Sequence, residues 1–248
     1  LDKKIRIGAV SYLNTRPLIY GLREPEIAGM IELETHYPAE LARMLMADRL
    51  DVALLPVAII PQLREYHLIS DHCIGCTGKV ASVAIFSEVP MEGIRTILLD
   101  YQSRTSVALA RILMRDHWKN PVRFLPAVDD GFMNEIAGTT AGLVIGDRAF
   151  EQAGRSAYMY DLGEAWVQHT GLPFVFATWV SNKKLDDGFI KAFNSANAVG
   201  VRELDKVIAE NPQAAFDLHD YYYRNMSYDF DERKKKGMQL FLDRVASL

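Results

Sequence analysis

Apolar and polar positions alternate with a period of two through residues 5–10 (IRIGAV) and 31–36 (IELETH), which predicts strands with one covered face. Between them SYLNTRPL leaves the first strand and enters a helix near Pro17, a residue suited to a first turn because its missing N–H would have no partner there. Pro38, Glu40 in the first turn, and Leu41, Met44 and Leu45 at helical spacing predict a second helix. No glycine stands where that helix should stop, and Asp48 with Arg49 takes its place. Residues 51–55 (DVALL) are nearly all apolar, as a parallel strand buried on both faces should be. Strand, helix and strand then form a right-handed βαβ unit. Residues 79–87 (KVASVAIFS) read as a further strand, followed by a turn at VPMEG. There the pattern restarts: strand 96–100, helix 105–117, strand 122–126, a short helix near Phe132, strand 140–146 and a helix near Arg148. Residues 174–181 (FVFATWVS) are a long β-rich run, and beyond Asp186 every remaining segment reads as helix.

Two βαβ blocks in succession, with no repeat, low-complexity tract or flexible linker between them, predict two lobes joined by short strands. The crossings are expected near Ser87 and near Val180, giving lobe one as 1–87 plus 182–248 and lobe two as 88–181. The fold class is α/β, type II periplasmic-binding-protein-like: two lobes, each with a mainly parallel sheet flanked by helices, and a ligand cleft between them. Ligands of such folds sit beyond the carboxyl ends of parallel strands and at domain junctions.

Composition narrows the function classes. With 49% hydrophobic and 24% charged residues the chain can bury a core and is not a disordered segment. A net charge of −4 gives no general attraction to nucleic acid or to an anionic membrane, so neither is expected as a partner. An anionic ligand would need positive potential concentrated in the cleft. No run approaches the roughly 20 apolar residues of a membrane span. The opening LDKKIRIGAV has no apolar signal-peptide core, although the chain starts with Leu; the expected location is the cytoplasm. Cys73 and Cys76 form a CxxC with no second half of a zinc set and no helix behind it, so they read as inert strand-end residues. No metal or dinucleotide spacing is present, and no cofactor is expected.

Four segments can carry chemistry. In SYLNTRPL, Tyr12, Asn14 and Arg16 leave a strand toward the expected cleft. Asn14 can donate and accept, and Arg16 can grip a carboxylate, but both also fit plain turn chemistry. In GKVASV, Gly78 permits close backbone approach, Ser82 offers a hydroxyl and Val83 follows it; a small residue in tight strand packing is the alternative. In LLDYQSRTSVALAR, Ser103, Arg104, Thr105 and Ser106 open a helix. Unpaired first-turn amides there form an anion site, and three hydroxyls around one Arg exceed what capping needs. In LVIGDRAF, Gly146 and Asp147 end a strand, with Asp147 as cap or cleft residue. The lysines 234–236 read as a solvated helix face, and the tyrosines 221–223 as packing at a helix end.

Taken in order, SYLNTRPLIYGL, LDVALLP, GKVASVAIFS, LDYQSRTSVALAR, LVIGDRAF and YDLGEAW..HTGLPFVFATWV resemble the chorismate dehydratase family of the futalosine route to menaquinone. The blocks run in order from about residue 5 to 181, a span covering most of the chain, and YLNTRPL favours this family over its sister, the 1,4-dihydroxy-6-naphthoate synthases. The resemblance implies loss of water from chorismate to give 3-[(1-carboxyvinyl)oxy]benzoate, a carbon–oxygen lyase reaction without cofactor. It also implies that Asn14 and Ser82 act on the substrate and that residues 103–106 hold a substrate carboxylate. A non-enzymatic binding protein for a small carboxylate is the rival class.

The chemistry has an independent logic. The hydrogen on the ether-bearing ring carbon is vinylogous to the ring carboxylate, so its removal delocalises charge onto that group. Loss of hydroxide then makes the ring aromatic. Geometry and fixed dipoles select this elimination over rearrangement. No His or Glu in these segments stands out as the base, and the substrate's own enolpyruvyl carboxylate is an alternative. Oligomeric state is not expressed in any of these patterns.

Overall fold

The computed structural model describes residues 4–212 and 214–248. The first block contains β1 (Ile5–Val10), α1 (Arg16–Tyr20), α2 (Pro25–Ala28), β2 (Ile31–His36), α3 (Pro38–Met46), β3 (Val52–Pro56) and β4 (His67–Cys76). The second contains β5 (Val83–Ser87), β6 (Thr96–Leu99), α4 (Thr105–Asp116), β7 (Arg123–Pro126), β8 (Thr140–Ile145), α5 (Arg148–Ala153), β9 (Tyr158–Asp161) and α6 (Leu162–Thr170). The chain closes with β10 (Phe174–Ser181), α7 (Asp187–Arg202), α8 (Leu204–Ala209), α9 (Leu218–Asp220), β11 (Ser227–Asp229) and α10 (Glu232–Val245).

Two sheets result, in the orders β11-β4-β10-β3-β1-β2 and β7-β6-β8-β5-β9. Each has a parallel half, β2-β1-β3 or β7-β6-β8, completed by antiparallel strands. The strand–helix–strand blocks read from the sequence are these parallel halves. Every residue of β3 is buried, as its unbroken apolar run requires.

The crossings differ from the sequence expectation. β5 pairs with β8 and β9, so residues 83–87 belong to the second sheet, not to lobe one. β10 lies between β3 and β4, so 174–181 belong to the first sheet, not to lobe two. The chain crosses within 77–82 and again within 171–173. The reason is local: the apolar run 79–87 cannot continue as one strand because Ala81 has φ +64°, in the left-handed region. The carboxyl-terminal part is not wholly helical either, since β11 adds to the edge of β4.

One apolar core cluster runs through both sheets, and a smaller one around Phe86, Phe132 and Val144 backs the second. Helix α10 packs on β10 of the first sheet and on α4 of the second lobe. Lys234 on that helix is buried, not solvated: its Nζ donates to Ser227 Oγ at 2.6 Å and to the Asp229 carbonyl. Among the described residues no helix is long and apolar enough to cross a membrane.

Candidate functional site

The carboxyl ends of β1, β3 and β8, together with the start of α4, face one another across a cleft between the lobes. It encloses about 530 Å³ not filled by protein, part of it open to solvent. Its polar lining is Tyr12, Asn14, Ser82, Ser103, Thr105 and Ser106; its apolar lining includes Ile74, Val80 and Phe176. Thus the YLNTRPL turn and the SRTS turn open into the same hollow. No Asp, Glu, His, Lys or Arg lines it among the described residues.

Three of the lining hydroxyls are used in the same sense. Ser82 Oγ accepts from Tyr221 Oη at 2.7 Å, Ser103 Oγ from the Ser106 amide at 3.0 Å, and Thr105 Oγ1 from the Ala58 amide at 3.2 Å. None gives its own hydrogen to a protein atom among the described residues. A hydroxyl that accepts from the protein has its hydrogen left for the cleft. The buried Ser106 hydroxyl has no protein partner among the described residues. The cleft is therefore a set of neutral donors beside the amino end of a twelve-residue helix, whose dipole adds partial positive charge.

Loop 77–82 is held for this purpose by Asp161, the residue that caps α6. Its carboxylate accepts from the amides of Val80 at 3.1 Å, Ala81 at 2.7 Å and Glu164 at 3.0 Å. Burial pushes the Asp161 carboxyl up, against the pull of those amides. The Ser82 carbonyl is anchored by the Gly146 amide at 2.8 Å. Gly146 itself has φ +67°, and a Cβ there would lie 3.2 Å from the Tyr12 ring. Glycine is needed at 146 on both counts.

The opposing turn is held by tyrosines from far along the chain. Tyr222 Oη donates to the Leu13 carbonyl at 2.7 Å, and Tyr228 Oη to the Asn14 carbonyl at 2.9 Å. Tyr12 Oη crosses the cleft to donate to Gln102 Oε1. Burial pushes the Tyr12 hydroxyl up, so it stays a donor at neutral pH. Behind Gln102, Asp100 accepts from the amides of Gln102 and Ile145 and from Arg148 at 2.7 Å. Burial raises the Asp100 carboxyl and Arg148 opposes it.

Of the residues singled out from the sequence, Tyr12, Asn14, Ser82, Val83, Ser103, Thr105, Ser106 and Gly146 line the cleft. Arg16, Gly78, Arg104 and Asp147 are not among the lining residues. Arg104 is exposed and its side chain makes no hydrogen bond among the described residues, because the first turn of α4 points its hydroxyl positions inward. Arg16 is exposed beside an outer depression that it shares with Asp147. Asp147 accepts from the Leu13 amide at 3.4 Å, and burial pushes its carboxyl up. A Cβ at Gly78 would meet nothing within 4 Å, so close approach does not explain that glycine. Burial raises the Cys73 thiol to about 12 and raises that of Cys76 too, leaving both protonated at neutral pH. Sequence reading missed Asp161, Gln102, Tyr221, Tyr222 and Tyr228. An Asp before an apolar helix start marks Asp161 as a cap, but nothing local marks the loop it clamps.

Comparison with known proteins gives the family and the fold. The chain is 25% identical to the chorismate dehydratase of Thermus thermophilus, over 96% of this chain and 93% of the relative. It is 28% identical to the chorismate dehydratase of Campylobacter jejuni, over 75% and 72% respectively. Among solved structures, a protein from Archaeoglobus fulgidus superposes with a TM-score of 0.76 at 12% identity, covering 98% of this chain and 97% of that one. The periplasmic aliphatic sulphonate binding protein of Escherichia coli gives 0.61 at 12% identity, covering 100% and 92%. These likenesses establish the periplasmic-binding-protein fold. The family model described as menaquinone biosynthesis matches residues 5–247, nearly the whole length over which the two lobes and their cleft are built, and the chain belongs to that family.

Proposed function

We propose that this chain is an enzyme that removes water from chorismate to give 3-[(1-carboxyvinyl)oxy]benzoate. The observation that carries the reading is a cleft rich in hydroxyl donors with no charged side chain on its wall among the described residues. A dianion there is met by O–H groups and by the amino end of α4, each hydrogen bond to a charged acceptor contributing about 1.5–3 kcal/mol. The relatives named chorismate dehydratase support the same substrate.

In this reading the α4 start, with Ser106, holds a carboxylate, and Asn14 and Ser82 orient the ring and its hydroxyl. Among the described residues no carboxylate or imidazole lines the cleft to act as base, so the substrate's enolpyruvyl carboxylate takes the ring proton. The C–H bond on the ether-bearing carbon breaks and its electron pair delocalises toward the ring carboxylate. That pair then expels hydroxide from the neighbouring carbon. Hydroxide recovers the proton from the enolpyruvic acid and leaves as water, and the ring is aromatic. Fixed donors that need no reorganisation favour this path over rearrangement.

Incubation with chorismate, followed by absorbance and mass, tests the reading. An aromatic product 18 mass units lighter, about one water, is expected. Tight binding with chorismate recovered unchanged would instead indicate a binding protein.

A further inference from the structure

Tyr221 is buried to 1% exposure at the end of α9, 139 residues from Ser82 in the chain, yet its hydroxyl lies 2.7 Å from Ser82 Oγ. A buried phenol must place its single hydrogen on an acceptor, and the side chains of Ser82 and Asn14 both reach its oxygen. With the Asn14 carbonyl oxygen already accepting from Thr15 Oγ1, the Asn14 amino group donates to the phenol while Ser82 Oγ accepts from it at 2.7 Å. The direction of the bond follows: Tyr221 donates and Ser82 accepts. Ser82 then cannot turn its own hydrogen back toward Tyr221. The Ser82 amide and carbonyl are both occupied, by the Val80 carbonyl and the Gly146 amide at 2.8 Å each. The backbone cannot rotate the side chain away, and the remaining hydrogen has the cleft to enter.

The phenol ring is equally constrained. Phe150 of α5 meets it edge-on at 5.1 Å and Phe216 at 5.5 Å, and those two rings stack on each other at 3.6 Å. Phe150 belongs to the second lobe, and Phe216 and Tyr221 to the carboxyl-terminal segment that returns to the first.

We propose that Tyr221 is a positioning residue: by filling the acceptor site of Ser82 it aims the Ser82 hydrogen at the ring hydroxyl that leaves as water. The inference rests on the reading of Ser82 as a substrate contact in the dehydration. Ser82 keeps its proton throughout and acts as a hydrogen-bond donor to the departing oxygen. Without Tyr221 the Ser82 hydroxyl is free to rotate, and its donor is aligned only part of the time.

The test is a double-mutant cycle on the full chain, with Tyr221→Phe, Ser82→Ala and the pair, read as kcat and KM for chorismate beside thermal melts. Tyr221→Phe is expected to lower kcat about tenfold with KM within about threefold. The double variant is expected to match Ser82→Ala within about twofold. Tyr222→Phe removes the hydroxyl of the next residue, which bonds the Leu13 carbonyl and not Ser82, and its effect should add to that of Ser82→Ala. Additive effects of Tyr221→Phe and Ser82→Ala, or an unchanged kcat in Tyr221→Phe, overturn the inference. Wild-type turnover in Ser82→Ala also overturns it while leaving the dehydration standing; no turnover by the unaltered protein overturns the dehydration itself. Should Tyr221→Phe fail to fold, 3-fluorotyrosine at 221 keeps the bond but strengthens the donor. It should then alter kcat in the natural background and leave it unaltered beside Ser82→Ala, and an equal change in both backgrounds overturns the inference.

Discussion

Asp161→Asn exchanges one oxygen for an amino group in a buried side chain, and the structure fixes what that costs. One carboxylate oxygen serves Val80 and Glu164 at 3.1 and 3.0 Å; the other serves Val80 and Ala81 at 3.1 and 2.7 Å. Whichever way asparagine sits, its amino group faces an amide N–H, so one strong bond is lost and a donor meets a donor. Loss of a hydrogen bond to a charged acceptor, with the amide left buried, amounts to about 2–4 kcal/mol. For a chain of this size that lowers the melting temperature by roughly 5–15 °C. The loop also stores strain, since Ala81 at φ +64° costs about 1–2 kcal/mol relative to a relaxed residue. When the clamp loosens, the loop relaxes and Ser82 moves, so kcat should fall by more than the folded fraction does. Urea unfolding followed by circular dichroism, with chorismate turnover under conditions where the variant stays folded, reads both effects. A midpoint and a kcat both equal to those of the unaltered chain would refute the reasoning.

Other expectations follow from the same geometry. Gly146→Ala should destabilise by about 1–2 kcal/mol, from the positive φ and the push on Tyr12, and should raise KM; a neutral result in urea titration contradicts it. Arg104→Ala should leave KM for chorismate within about twofold, whereas Ser106→Ala should raise it about tenfold or more; steady-state kinetics showing the reverse order would return Arg104 to the site. Asp51 accepts from Arg6 at 2.8 Å and Lys183 at 2.6 Å. Burial works against its ionisation, but these cations hold its carboxyl well below the usual range. A lowered carboxyl contributes stability that is complete above the unfolded value near pH 4 and is lost as pH falls below it. Asp51→Asn should therefore cost about 1–3 kcal/mol at pH 7, discounted for the partly exposed cations, with the gap narrowing below about pH 4 in urea titrations.

Much of the architecture was legible because it is local. The period-two and all-apolar runs at 5–10, 31–36 and 51–55 are β1, β2 and β3 within a residue, and the helix opening at Thr105 begins where the hydroxyls predicted it. What failed to show was long-range. β4 carries His67, Asp71 and His72 inside a strand whose identity depends on β10 and β11 pairing on either side. The first crossing point depended on a single left-handed alanine at 81, which no propensity marks. Tyr221 and Tyr222 read as packing residues, and Tyr228 drew no notice, because their acceptors lie 139 to 214 positions away. Arg16 and Arg104 drew attention as natural carboxylate partners, yet the helix turns carry them outward while their small neighbours face the cleft.

The central claim is that neutral donors, not cations, hold a doubly charged substrate between the lobes. A crystal structure of the protein with 3-[(1-carboxyvinyl)oxy]benzoate bound tests it most directly. The account predicts both carboxylates inside the cleft, with oxygens within hydrogen-bond distance of the Ser106 hydroxyl at the start of α4 and of Ser82 or Asn14 opposite. A ligand whose carboxylates sit on Arg16 or Arg104 at the outer surface would contradict it.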